Sequence, residues 1–219
     1  MPSPNPNPNP LLFLVHSASP SDGSIVLLGS DEDVYVSTDS GATFVSAGMT
    51  DTVAANTTSG YHVALSSDGS RLFAVSSTSH VFSSTDKGAT WSSVSELNGN
   101  YTWTSLAATS DAGVLLASTT YGALYSSQDY GVTWTASDMT TTNPEPWNYV
   151  DISSNGKVWV ASSKLSTIWV STDSGSTWAT TGTSDVWTSV SLTDNGKTIV
   201  TSSEGIDKLS KATYSPTNA

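Results

Sequence analysis

The sequence predicts an all-β fold of repeated four-stranded units, and three observations predict it. First, one pattern is written four times. Its copies are Ser37, Asp39, Gly41, Thr43, Phe44; Ser84, Asp86, Gly88, Thr90, Trp91; Ser127, Asp129, Gly131, Thr133, Trp134; and Ser171, Asp173, Gly175, Thr177, Trp178. Successive aspartates stand 47, 43 and 44 residues apart. Second, each copy follows a short β-forming run and ends in Thr plus an aromatic, both good strand residues. Third, a tight turn precedes each unit's second strand: Asp22-Gly23, Asp68-Gly69, Asp111 to Gly113, Asn155-Gly156 and Asn195-Gly196. Asp-Gly and Asn-Gly are strong hairpin signals. A period near 44 residues is the length of a four-stranded propeller blade. The expected architecture is a five-bladed β-propeller.

Residues 1–10 form the first segment, and residues 11–219 the single propeller domain. Prolines occupy positions 2, 4, 6, 8 and 10, with Asn at 5, 7 and 9. Such a run is a stiff extended leader. It also suits an outermost strand, because prolines at every second position all fall on one side and leave that edge without donors. Blade one then runs from about Leu11 to Gly48, with Val15 to Ala18 its first strand, Ile25 opening its second and Val34 its third. Blade two uses Tyr61 to Leu65, Leu72 to Val75 and His80; blade three uses Trp103 to Leu106, Val114 and Tyr121; blade four uses Trp147 to Val150, Val158 and Lys164. Trp187 to Leu192, Ile199 and Asp207 to Lys211 open a fifth unit that no repeat closes. The N-terminal segment is therefore expected to supply its outer strand and close the ring, which removes free edges.

In each copy the aspartate is suited to accept backbone N–H bonds within a turn. The glycine two residues later takes positive φ at no steric cost. Four equivalent copies argue for a structural role for Asp39, Gly41, Asp86, Gly88, Asp129, Gly131, Asp173 and Gly175. These residues match the consensus Ser-x-Asp-x-Gly-x-Thr-Trp, with Phe44 the one substitution, and the chain resembles the Asp-box (BNR) repeat β-propellers over about residues 11–211. That resemblance implies the propeller fold and is nearly silent on activity, since the group includes sialidases, xyloglucan-hydrolysing glycosidases, sortilin-type receptors and photosystem II assembly factors.

Composition narrows the partners. The chain carries a net charge of −12 with seven Lys plus Arg and a single arginine, Arg71. Clustered cations for a phosphate backbone are lacking, so nucleic acid is not an expected partner. No apolar run reaches the ~18 residues of a membrane span, so membrane insertion is not expected. Cysteine is absent, which removes disulfides and thiolate sites. No signal peptide is visible; an extracellular mature form is the expectation, with glycosylation sequons at Asn56 and Asn100. No cofactor or metal is expected. His16, His62 and His80 come from two blades, and metal binding needs converging ligands. Asp31, Glu32 and Asp33 lack the spacing of a calcium loop.

Function is expected on the face opposite the repeated turns, where loops vary. That face gathers Tyr101, Trp103, Tyr121, Trp147 and Trp187 with Asn100, Asn143 and Glu145. The tryptophans either pack between blades, as large aromatics do, or offer platforms for sugar rings beside amides and carboxylates. The second alternative makes Tyr101, Trp103, Tyr121, Trp147, Trp187, Asn100 and Glu145 ligand-binding residues and glycans or glycoproteins the partners. No catalytic residue is assigned. The related sialidases grip the substrate carboxylate with three arginines, and this chain has one. Other glycosidases need two facing carboxylates. Asp33, Glu145, Asp151, Asp185 and Glu204 are the free acids, and Asp151 stands out because its equivalents are Ala64 and Ser191. The expected function is non-enzymatic, lectin-like binding, with an interaction scaffold as the alternative and a glycoside hydrolase as the second.

Overall fold

The computed structural model describes residues 14–31, 33–49, 60–76, 80–96, 102–120, 122–137, 146–163, 167–181, 185–203 and 209–213. They build an all-β chain of five small antiparallel sheets, as the hairpin spacing predicts. The first sheet holds β1 (Leu14–Ala18), β2 (Val26–Ser30), β3 (Val34–Ser37) and β4 (Val45–Ser46). The second holds β5 (His62–Leu65), β6 (Leu72–Val75), β7 (His80–Ser84) and β8 (Ser92–Glu96). The third holds β9 (Trp103–Ala108), β10 (Leu115–Thr119), β11 (Leu124–Ser127) and β12 (Thr135–Ala136). The fourth holds β13 (Trp147–Ile152), β14 (Trp159–Ser163), β15 (Ile168–Ser171) and β16 (Ala179–Thr181). The fifth has three strands among the described residues: β17 (Trp187–Leu192), β18 (Thr198–Ser203) and β19 (Leu209–Thr213). Residues 1–13, expected to close this last sheet, lie outside the described residues.

Within each sheet the strands follow one another in chain order. The first strands β1, β5, β9, β13 and β17 pack side by side in succession. The second strands β6, β10 and β14 are buried at every position, as expected for strands covered on both faces. Apolar clusters fill the spaces between successive sheets. Val63, Leu27 and Leu72 meet between the first and second, Trp103, Phe73 and Leu115 between the second and third. Trp147, Leu116 and Trp159 meet between the third and fourth, and Trp187, Val160 and Ile199 between the fourth and fifth.

The tight turns after the first strands hold the sheets together at one rim. Ser66 Oγ donates to Asp68 Oδ1 at 2.6 Å and accepts from the Arg71 N–H at 3.0 Å. Thr109 with Asp111, Ser153 with Asn155, and Thr193 with Asn195 repeat the side-chain bond at 2.8–2.9 Å. So fixed, these turns bond to one another. Ser21 N–H donates to Ser67 O at 3.4 Å, Ser67 to Ser110 at 2.7 Å, Ser110 to Ser154 at 3.2 Å, and Ser154 to Asp194 at 3.0 Å. One backbone ladder thus crosses all five sheets. No helix among the described residues is long and apolar enough to cross a membrane.

Candidate functional site

The four repeated turns are superimposable hydrogen-bond networks. In the third sheet Ser127 Oγ donates to Asp129 Oδ1 at 2.8 Å and accepts from the Gly131 N–H at 2.8 Å. Asp129 in turn accepts from the Thr133 N–H at 2.8 Å and hydroxyl at 2.6 Å. The same bonds recur around Asp39, Asp86 and Asp173. The residue before each glycine also adopts positive φ: Ser40 and Ser174 at 57°, Lys87 and Tyr130 at 60°. Two successive left-handed residues give the tight turn that matches strand twist. The serine, not the aspartate, is the buried member: Ser37, Ser84, Ser127 and Ser171 are all but inaccessible, while the carboxylates face solvent. The hydroxyl and N–H of Thr43 and the Ser37 hydroxyl hold the Asp39 carboxyl down to about 2. Asp86 falls likewise to about 2 through Thr90, and Asp129 and Asp173 are lowered by Thr133 and Thr177. Carboxylates so saturated serve the turn.

Trp103, Trp147 and Trp187 are 0%, 1% and 4% exposed. Their indole faces are spent on the core, which corrects their expected role as sugar platforms. A β-bulge sets which interface each tryptophan enters. Pairing skips Thr104, Asn148 and Thr188, the residue after each tryptophan. A one-residue shift turns a side chain to the other face of the strand. Trp147 therefore packs with Val150 and Ile152 rather than with Tyr149 and Asp151. Its ring meets Trp169 edge-on at 6.4 Å, and its Nε1 donates to Gly122 O at 3.1 Å. Trp103 meets Tyr125 edge-on at 5.5 Å. The remaining expected ligand residues, Asn100, Tyr101, Tyr121 and Glu145, lie outside the described residues, as does Glu204.

Among the other acids, Asp33 accepts from the Val34 and Met49 N–H groups at 2.7 and 3.1 Å and ties the outer hairpin of the first sheet. Asp185 accepts from the Val186 N–H at 2.8 Å. Asp151 differs. Its Oδ1 accepts from its neighbour Ile152, and its Oδ2 from the Leu192 N–H at 2.7 Å and the Ser191 hydroxyl at 3.2 Å. The carboxylate thus bridges the fourth and fifth sheets, and burial raises its pKa despite those donors. His62 is buried and His80 half-buried against Phe82, with ring centroids 5.9 Å apart.

Two cavities are open. One, of about 540 Å³, is lined by first strands of all five sheets, from Ala18 through Ala64 and Ala107 to Asp151 and Ser191. The second, of about 610 Å³, lies between the third and fourth sheets on the side of the repeated turns. Its walls carry half-buried Tyr125, Trp169 and Trp178, with Gln128, Thr135 and Thr177 at the margin. Trp169 Nε1 is buried without a hydrogen-bond partner. The position three residues after each repeat's aromatic fills the gap with Ala47 in the first sheet and Val94 in the second. In the third sheet that position is Ser137, a groove residue. Sequence reasoning had the repeat needed to find this exception but looked to the opposite face.

No protein-family profile matches the chain, and no curated protein matches it. Solved structures do. A GH74 xyloglucanase from Xanthomonas campestris matches with a TM-score of 0.65 at 16% identity, over 85% of this chain and 34% of that one. A nidogen/laminin complex matches with 0.69 at 9% identity, over 88% of this chain and 72% of that one. YCF48 bound to a D1 peptide matches with 0.56 at 15% identity, over 72% and 52%. The chain thus spans about a third of the xyloglucanase. These likenesses show the fold: an all-β chain of small antiparallel sheets arranged as in β-propeller proteins.

Proposed function

We propose that this chain is a five-bladed propeller of Asp-box repeats that binds carbohydrate without hydrolysing it. The observation that carries the proposal is the groove between the third and fourth sheets. Its volume of about 610 Å³ suits a small ligand of one or two sugar rings. Trp178 and Tyr125 give it aromatic surface, and Gln128, Thr135 and Thr177 give it amide and hydroxyl partners. That pairing of flat apolar surface with neutral hydrogen-bonding groups is the chemistry of a pyranose ring. Binding without hydrolysis follows from the nearest carboxylates. Asp129 and Asp173 spend their oxygens on their own turns, so neither is disposed to act as a general acid or nucleophile.

Single-site affinity should be weak, about millimolar to micromolar. Neutral oligosaccharides titrated against tryptophan emission test this. Trp178→Ala and Gln128→Ala should each weaken the response at least fivefold, and Gln128, an exposed residue, should do so without loss of fold. Parallel titrations of Tyr101→Ala and Tyr121→Ala ask whether the opposite face contributes. If no sugar perturbs the emission, or both groove variants bind as before, the interaction-scaffold alternative takes first place.

A further inference from the structure

The cavity bounded by the first strands has a composition unlike the groove. Its wall mixes polar groups with small aliphatic side chains, among them Ala18, Ala64, Ala107 and Val150. Into it comes one carboxylate, Asp151, at a position where the other sheets carry Ala18, Ala64, Ala107 and Ser191. None of the described residues lining the cavity is a lysine, arginine or histidine. Every group bonded to Asp151 is neutral: two backbone N–H groups and the Ser191 hydroxyl. The one further charge that bears on it, Asp194, is of the same sign. A desolvated carboxylate with neutral donors alone is costly, and a paired cation relieves that cost. Its two oxygens still have acceptor capacity, since a carboxylate offers about four lone-pair sites.

We propose that this cavity binds a small organic cation bearing a primary ammonium group, held by the Asp151 carboxylate with its alkyl portion against the alanine and valine wall. The site is separate from the sugar groove. Chemistry selects the ligand class. An inorganic cation such as calcium calls for about six to eight oxygen ligands. Among the described residues no group of three His, Cys, Asp or Glu converges anywhere. The cavity instead pairs one anionic group with a wall of mixed polar and aliphatic groups around a space of about 540 Å³. An alkylammonium ion matches both parts, with three donors on the nitrogen and an apolar body. Ser189, exposed on β17, stands at the same wall.

The experiment is calorimetric titration of the full chain with n-butylammonium chloride, 1-butanol and potassium chloride. One butylammonium should bind per chain in the millimolar range, and butanol should give no saturable heat. Asp151→Asn should weaken binding at least tenfold. Ser189→Leu, which puts a bulkier side chain at the cavity wall and keeps the carboxylate, should weaken it as well. Equal binding of butanol, displacement of the amine by equimolar potassium, or no saturable heat with the amine would each overturn the proposal. If Asp151→Asn does not fold, Ser189→Leu decides, and unchanged affinity in it overturns the proposal. Sugar titration of the same variants keeps the two sites apart, because Ser189→Leu should leave the groove's response unchanged.

Discussion

The fourth and fifth sheets start alike and finish differently. Both open on a buried tryptophan, Trp147 or Trp187, followed by a bulge. Both turn through an asparagine held by a hydroxyl, Ser153 or Thr193. The fourth then adds β15, a repeated turn and β16, whereas the fifth has β19 and no fourth strand among the described residues. The rim ladder reaches Asp194, and the described residues show no bond from there back to Ser21. The difference teaches how such a chain is stabilised. Each sheet leans on its neighbours, so stability accumulates through successive interfaces, and the place where repetition stops is the weakest edge. Deleting residues 1–13 is the sharpest way to break this comparison. If they complete the fifth sheet, the midpoint of thermal unfolding should fall by more than about 10 °C, several kcal/mol at about 2–4 °C per kcal/mol. An unchanged midpoint would make the segment a linker and leave the fifth sheet stable with three strands.

Two turn glycines differ in what surrounds them, one in the fourth sheet's repeated turn and one in the first sheet's tight turn. Gly175 has φ of 82°, and a Cβ there would lie 2.3 Å from Trp159 Cζ3. Gly23 has φ of 66° with nothing within 4 Å of such a Cβ. Gly23→Ala therefore meets backbone strain alone, about 1 kcal/mol. Gly175→Ala adds an overpacked ring and should cost about 2–4 kcal/mol in urea unfolding. Equal losses would mean that the glycine is there for its dihedral angle and not for the tryptophan beneath it.

The repeat made the strands, their order and both turn families legible, because Asp-Gly, Asn-Gly and Ser-x-Asp-x-Gly act through local backbone chemistry. The sequence left two roles open for Trp103, Trp147 and Trp187, packing between sheets or facing a ligand, and the structure packs them. In a regular strand Trp147 would share a face with Tyr149 and Asp151; the bulge at Asn148 reverses that, and nothing in strict alternation announces a bulge. The groove was missed for the opposite reason. It lies between two sheets, with Ser137 at its wall where Val94 packs against the core in the second sheet, and the size of a gap is a property of packing. The importance of Asp151 was visible from its misfit among Ala64, Ala107 and Ser191, but its bond to the Leu192 N–H needed the neighbouring sheet.

Within a repeated turn, the structure divides the labour between serine and aspartate. Ser127 is buried and accepts from the Gly131 N–H. Ser127→Ala would leave that buried donor without its partner, a loss of about 1–3 kcal/mol. Asp129 is solvent-exposed on its carboxylate side, and water can replace it for Thr133. Asp129→Ala should therefore lower the urea midpoint less than Ser127→Ala does. The reverse order would show that the carboxylate, not the hydroxyl, organises the turn. Neither change should weaken butylammonium binding in the distant cavity.

The smallest effect per residue, and the one that separates the turns from the cavity of the first strands, is titration. The Asp39, Asp68 and Asp86 carboxyls are held to about 2, below their ordinary value of 3.8, chiefly by the Thr43, Ser66 and Thr90 hydroxyls. A lowered folded pKa means that the unfolded chain takes up protons first as pH drops. Stability from these groups is thus fully present above about 3.8 and is lost as pH falls toward about 2. Asp151 runs the other way. Burial raises its folded pKa, so the folded protein holds that proton more tightly than the unfolded chain. Its ionisation costs stability as pH rises from 3.8 through the raised value, and protonation returns it. Melting temperature followed from pH 7 downward should therefore hold or rise slightly before it falls between about 4 and 2. Thr90→Val removes the leading donor to Asp86 and should flatten the acid limb while leaving the shallow rise. Asp151→Ala should remove the rise and leave the acid limb. If Thr90→Val leaves the acid limb unchanged, the loss of stability at low pH originates outside the repeated turns.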